Sequence, residues 1–120
     1  MSQKKRYHIH ISLVRNENVN LENALEYALS TDYFLTWDLL ATHTNFVEYS
    51  RQQIDQCDYM IFILGNDYGH LSLSGVSYLH LSYIYASSKR VPMIALVNTQ
   101  PSQHELLRQR LDVFNLVIKE

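Results

Sequence analysis

Residues 57–97 read CDYMIFILGNDYGHLSLSGVSYLHLSYIYASSKRVPMIALV, and this stretch decides the fold. The almost wholly apolar run Tyr59–Leu64 has the character of a parallel strand covered on both faces. Gly65–Gly69 punctuates it, and a long connection leads to a helical stripe of Val76, Leu79, Tyr83 and Ala86, running to about Ser88. Val91–Val97 reads as the next strand, with Pro92 tolerable only at its start. Together these make one βαβ unit with an unusually long loop at the carboxyl end of its first strand. In an open parallel sheet, ligands and partners collect in the crevice outside those carboxyl ends, so a local function is expected there.

Working outward, Tyr7–Val14 alternates around Ile9, Ile11 and Leu13 and reads as the first strand. Leu21, Ala24, Leu25, Ala28 and Leu29 fall on one helical face, with Asn20 as N-cap. Phe34–Leu39 is a short second strand. Asn45 and Glu48 have capping-box spacing and open a helix whose buried side is Phe46, Val47, Ser50, Ile54 and Cys57. Beyond the quoted stretch, Pro101, Ser102 and Glu105 signal another helix, continued by Leu106, Leu107 and Leu111. Phe114–Ile118 reads as a fifth, edge strand. Regular β-α alternation implies a parallel sheet with right-handed crossovers and helices on both faces. The expected fold is a flavodoxin-like three-layer α/β sandwich, five strands in the order 2-1-3-4-5. The alternative is that Phe114–Ile118 leads on into a longer protein.

At 120 residues the chain fits one domain, residues 1–120, and buries enough surface to need no disulfide or metal staple. Its single cysteine, Cys57, has no intrachain partner and opens a strand, so it reads as an inert buried thiol in a reducing cytosol. A net charge of −2 gives no basic field for nucleic-acid backbones. The Lys4-Lys5-Arg6 cluster precedes a strand pattern, not the apolar core of a signal peptide. Apolar runs fall far short of the ~20 residues that span a bilayer. A soluble, cytoplasmic protein without nucleic-acid or membrane partners is expected.

Particular residues then become recognisable. The run IDQCDYMIFILGNDYG (Ile54–Gly69), followed by GVSYLHLSYIYA (Gly75–Ala86) and VPMIALV (Val91–Val97), resembles a bacterial TIR-like family often described only as a domain of unknown function. IHIS at Ile9–Ser12 is similar to that family's first strand. The resemblance covers about residues 7–118. It implies a flavodoxin-like fold related to TIR domains, which serve in signalling or defence and either assemble with their own kind or cleave NAD. Catalysis in the enzymatic members uses a glutamate at the start of the third helix. Here the two glutamates of the family pattern align with His80 and Ser82, its threonine with Leu79, and the arginine before "YG" with Asp67. The departures fall on the positions expected to carry chemistry.

Each candidate residue has a functional and a plainer reading. His80 sits where an acid or base would, yet glycosidic cleavage passes through a cation-like transition state that a carboxylate stabilises and an imidazolium opposes. A surface histidine without a chemical role is the better reading. Asp38 and Asp67 lie near strand ends and supply carboxylates to the crevice in a rival reading; loop-anchoring is the commoner duty of such aspartates. Gly65-Asn66-Asp67-Tyr68-Gly69 matches no phosphate-binding fingerprint and reads as a tight turn with two glycines at positive φ. With Ser12 and Ser77 it forms the expected crevice rim. His8 and His10 share a strand face, but no third ligand has recognisable spacing, so no metal is expected.

From His70 to Ser88 there is no Asp, Glu, Lys or Arg. A solvent-facing helix normally sets charges opposite its apolar stripe, whereas this one presents Tyr78, Leu81, Ile84 and Tyr85. Tyrosine-rich, charge-depleted surface is the composition of a protein interface; the plainer reading is that both sides are covered inside the monomer, or that the tyrosines sit amphipathically at the surface. The leading expectation is therefore a non-catalytic TIR-like interaction module. It would use its third helix and the Gly65–Ser77 loop, bind a protein partner or itself, and need no cofactor. The rival is a divergent glycohydrolase acting on NAD or another nucleotide through Asp38, Asp67 or His80, or a nucleotide sensor without turnover.

Overall fold

The computed structural model describes residues 6–15, 19–65 and 68–97. Strands and helices alternate as β1 (Tyr7–Leu13), α1 (Val19–Leu29), β2 (Tyr33–Trp37), α2 (Phe46–Gln56), β3 (Tyr59–Leu64), α3 (Tyr78–Ser88) and β4 (Met93–Val97). The four strands form one parallel sheet in the order β2-β1-β3-β4. The helix expected from Pro101 and the strand expected at Phe114–Ile118 lie outside the described residues.

Two apolar clusters sandwich the sheet. On one face Ile9, Ile11, Leu13 and Ile63 pack with Leu21 and Leu25 of α1 and with Leu35 and Trp37 of β2. On the other, Met60, Phe62 and Leu64 pack with Ile54 of α2 and with Leu79, Tyr83 and Ala86 of α3. The period of two along β1 therefore divides two buried faces. From Ile9 onward its odd residues are aliphatic, while its even residues His8, His10 and Ser12 are polar and equally buried.

Several local expectations are corrected. Helix α1 begins at Val19, so Asn20 is a first-turn residue, not its cap. Its inner side is leucine only: Ala24 and Ala28 are exposed, and the helix is turned so that buried Glu22 meets Arg15, Nε to Oε1 3.5 Å. Asn45 stands at the N-cap of α2 with φ −97° and ψ 17°, too far from extended for its side chain to cap, and it makes no cap bond. Val47 is exposed, whereas Phe46, Ser50 and Ile54 are buried. Positive φ occurs at Gly69 (107°) and Gly75 (85°). No helix among the described residues is long and apolar enough to cross a membrane.

Candidate functional site

A crevice of about 300 Å³ opens at the carboxyl ends of the strands. Leu13, Val14 and Arg15 after β1 form one wall, Leu39, Leu40 and Ala41 after β2 another. Gly69 and His70 after β3, with Tyr78 and Leu79 at the start of α3, close the third side. Gly69 lets the chain pass close to β1, because a Cβ there would stand 3.2 Å from Val14 Cγ2. Arg15 and His70 bring basic groups to a lining that is polar and apolar in nearly equal measure, and among the described residues no carboxylate lines it. A larger cleft of about 570 Å³ lies at the opposite, amino-terminal end of the sheet, lined by Tyr7, Tyr59, Pro92 and Ile94 among others. Among the described residues no charged side chain faces it, whereas the strand-end crevice carries Arg15 and His70 and is the better candidate.

The loop between β3 and α3 is a built structure. Leu71 and Ser77 form an antiparallel bridge, the Ser72 N–H donates to the Val76 carbonyl at 2.9 Å, and Tyr78 N–H donates to the His70 carbonyl at 3.0 Å. Its base rests on three buried polar side chains. Tyr68 Oη accepts the Ser77 N–H at 3.2 Å and bonds His80 Nδ1 at 2.8 Å, while Ser77 Oγ caps α3 by accepting the His80 N–H at 3.1 Å. The tip carries Leu71, half exposed, and Leu73, wholly exposed.

Beneath the crevice runs a chain of short contacts along the polar face of β1. His8 Nε2 and His10 Nδ1 each lie 2.7 Å from Thr36 Oγ1, and His10 Nε2 lies 2.9 Å from Asp38 Oδ1. The register sets His10 directly beside Thr36, and the residue that follows β2 brings Asp38 over its other ring nitrogen. Asp38 Oδ2 also accepts the Leu13 N–H at 3.3 Å, and Arg15 Nη1 donates to the Asp38 carbonyl. Burial, with the neighbouring His10, holds His8 below its usual pKa. Burial and then the field of Asp38 raise the Tyr49 hydroxyl, against Arg15. Ser12 Oγ is buried without a hydrogen-bond partner among the described residues.

The expected site residues scatter accordingly. Gly69 lines the crevice and Ser77 and Tyr68 hold its loop, while Asn66 and Asp67 lie outside the described residues. Asp38 is fully buried and turned toward His10, not into the opening. His80, expected at the surface, is buried against Tyr68, and Ser82 is buried with its Oγ 2.9 Å from Ser50 Oγ of α2. Of the proposed outer face of α3, only Ile84 is openly exposed. Tyr78 meets Phe46 at 5.3 Å between centroids, Tyr85 donates to Asp55 Oδ1 at 2.8 Å, and Leu81 lies beside α2. Helix α2 is what covers them. Cys57 is half-buried, its thiol pushed up to about 11 first by burial and then by Asp58, as an inert thiol requires. Among the described residues no cluster of three or more His, Cys, Asp or Glu offers a metal site.

The family model described as Domain of unknown function (DUF4062) matches residues 13–116. The chain belongs to the DUF4062 family. No curated protein matches the sequence. In this DUF4062 chain the matched span begins at Leu13, so it takes in every wall of the crevice and leaves His8, His10 and Ser12 just ahead of it. The His–Thr–His–Asp chain was legible only in halves: the HIHIS alternation and an aspartate near a strand end. Which residue of β2 would stand beside His10 depends on strand register, which the sequence does not print.

Proposed function

We propose that this chain is a non-catalytic, TIR-like protein-interaction module, working through the 65–77 loop and the adjoining exposed edge of α3. One observation carries the reading: an apolar hairpin tip is held in water by a buried polar anchor. Leu73 is wholly exposed and Leu71 half exposed, yet Tyr68, Ser77 and His80 fix the base of the loop from inside. Exposed leucines on an anchored tip suit a partner surface, where interface energy concentrates in a few such residues. The two positions where relatives of the TIR type carry glutamates further support it. His80 and Ser82 bond to Tyr68 and Ser50 within the monomer, away from the crevice.

Leu73→Asp and Ile84→Asp alter exposed side chains, so the thermal transition should hold while association or partner capture weakens, about thirty-fold for a loss near 2 kcal/mol. Sedimentation velocity and pull-downs read this directly. Unchanged species and unchanged partners in both variants would remove the hairpin from any interface. Leu81→Glu is a poorer probe, because Leu81 packs beside α2 and the charge would strain the fold.

A second reading rests on the crevice itself, whose volume reaches the lower bound of small-ligand pockets and whose rim carries Arg15 and His70. It makes the domain a binder of NAD or another nucleotide, or a divergent glycohydrolase using Asp38 or Asp67. Incubation with NAD decides between them: the module releases no nicotinamide and gains no thermal stability. A stability gain without release would instead indicate a sensor. Release abolished by Asp38→Asn or Asp67→Asn would indicate the enzyme.

A further inference from the structure

We infer that His8, Thr36 and His10 form a buried proton wire that delivers a proton to the side of Asp38, a device separate from the interaction surface. With Asp38 ionised and His10 neutral, the three contacts admit one arrangement of hydrogens. An ionised carboxylate only accepts, so His10 must donate to Asp38 Oδ1 from Nε2 across 2.9 Å. In neutral His10 the Nδ1 is then bare and takes the Thr36 hydroxyl proton across 2.7 Å. Thr36 Oγ1, its one proton committed, accepts from His8 Nε2 across 2.7 Å. Every contact is met in one direction only. At the outer end the remaining nitrogen, His8 Nδ1, is bare, although the Gln56 backbone favours a protonated ring.

One added proton reverses both contacts at Thr36. It enters at His8 Nδ1, the ring nitrogen that faces away from Thr36. The Nε2 proton of His8 passes to Thr36 Oγ1, and the Thr36 proton passes to His10 Nδ1. His8 ends neutral as the Nδ1–H tautomer, and His10 ends as an imidazolium donating to both Thr36 and Asp38. Only N–H and O–H bonds exchange, and the single positive charge gained stands 2.9 Å from the Asp38 carboxylate. Burial disfavours leaving it on His8, only partly offset by Gln56 and Asp58.

The surroundings are accounted for on each side. Asp58, ahead of β3, accepts the His8 backbone N–H at 2.8 Å, and the Phe34 ring of β2 lies 4.9 Å from the His8 ring. From α2, Tyr49 stands 6.3 Å from the His10 ring, and Cys57 follows that helix with its thiol neutral at ordinary pH. Beyond Asp38, Arg15 holds the Asp38 carbonyl and Glu22 of α1 faces Arg15. Asp38 also holds the Leu13 N–H, so the wire ends on two residues of the crevice wall, Leu13 and Arg15.

Two-bond ¹H–¹⁵N spectra of the histidine rings, assigned with His8→Gln and followed from neutral pH downward, test this. The expected neutral state has both rings as Nε2–H tautomers. On acidification His10 becomes doubly protonated while His8 switches to Nδ1–H, the two changes sharing one midpoint. Thr36→Ser should keep this behaviour and Thr36→Val should abolish the shared midpoint. The wild-type spectra alone overturn the inference if His8 takes the second proton while His10 stays neutral. They overturn it equally if neither ring changes before acid unfolding. Thr36→Val titrating like wild type would do the same.

Discussion

Removing the Asp38 carboxylate shows how much of this fold hangs on one side chain. It accepts from the His10 Nε2–H and the Leu13 N–H, both buried, so Asp38→Ala leaves two donors without partners. Each orphaned group costs about 1–3 kcal/mol, which sums to ~2–6 kcal/mol in a urea titration. A loss under about 0.5 kcal/mol would mean that water replaces the carboxylate and that the site is open. Cys57 gives a second residue-scale outcome. Its folded pKa, about 11, stands above the ordinary 9.0 because burial penalises the thiolate. The unfolded chain therefore loses the proton first, so the contribution is intact below pH 9 and disappears as pH rises through 11. Cys57→Ala should flatten that alkaline decline, and native Cys57 should react with a thiol reagent far more slowly than the unfolded chain. At this scale the sequence was half informative. An inert Cys57 followed from its place before an apolar strand, whereas a buried His80 did not. Its burial depends on Tyr68, twelve positions away across a loop whose path no periodicity describes.

Among the elements, α3 and its preceding loop carry the clearest test. Tyr68→Phe keeps the ring and removes only the hydroxyl that links Ser77 and His80. The Ser77 N–H then has no acceptor there, at a cost of about 1–3 kcal/mol. Ser77→Ala removes the cap of α3, typically ~1 kcal/mol. Hydrogen exchange should rise through residues 68–80 in both variants while β1 and β3 stay protected. A loss spread evenly over the sheet would deny the loop its own anchor. The inner stripe of α3 was readable because Leu79, Tyr83 and Ala86 recur at helical spacing and lie against β3. Its second apolar side was not, since an uncharged helix flank looks the same whether it faces α2 or a partner. Here it faces α2 through Tyr78, Leu81 and Tyr85, and the exposed remainder shifts to Ile84 and the hairpin tip.

Across the whole molecule, the two apolar clusters are joined through the same backbones. β1 sends Ile9, Ile11 and Leu13 to one face and its polar residues to the other, and β3 sends Ile63 one way and Met60, Phe62 and Leu64 the other. Neither cluster can dissolve without releasing strands that the other needs. Sequence period could assign each residue to a face, because β-α alternation fixes a parallel sheet with two covered sides. It could not say which side chains would meet the polar residues that β1 turns to the second covered face. The consequence is a single cooperative transition, and the chain contains its own reporter. Trp37, the one tryptophan, belongs to the α1-side cluster, while Leu79 belongs to the α3-side cluster across the sheet. Leu79→Ala deletes buried methyl groups and should cost about 2–5 kcal/mol. Although Leu79 lies on the far side of the sheet, the urea midpoint read by Trp37 fluorescence should fall by the same amount as that read by far-ultraviolet dichroism. If the fluorescence midpoint stays at its wild-type value while the dichroism midpoint falls, the two faces unfold separately and the sheet does not couple them.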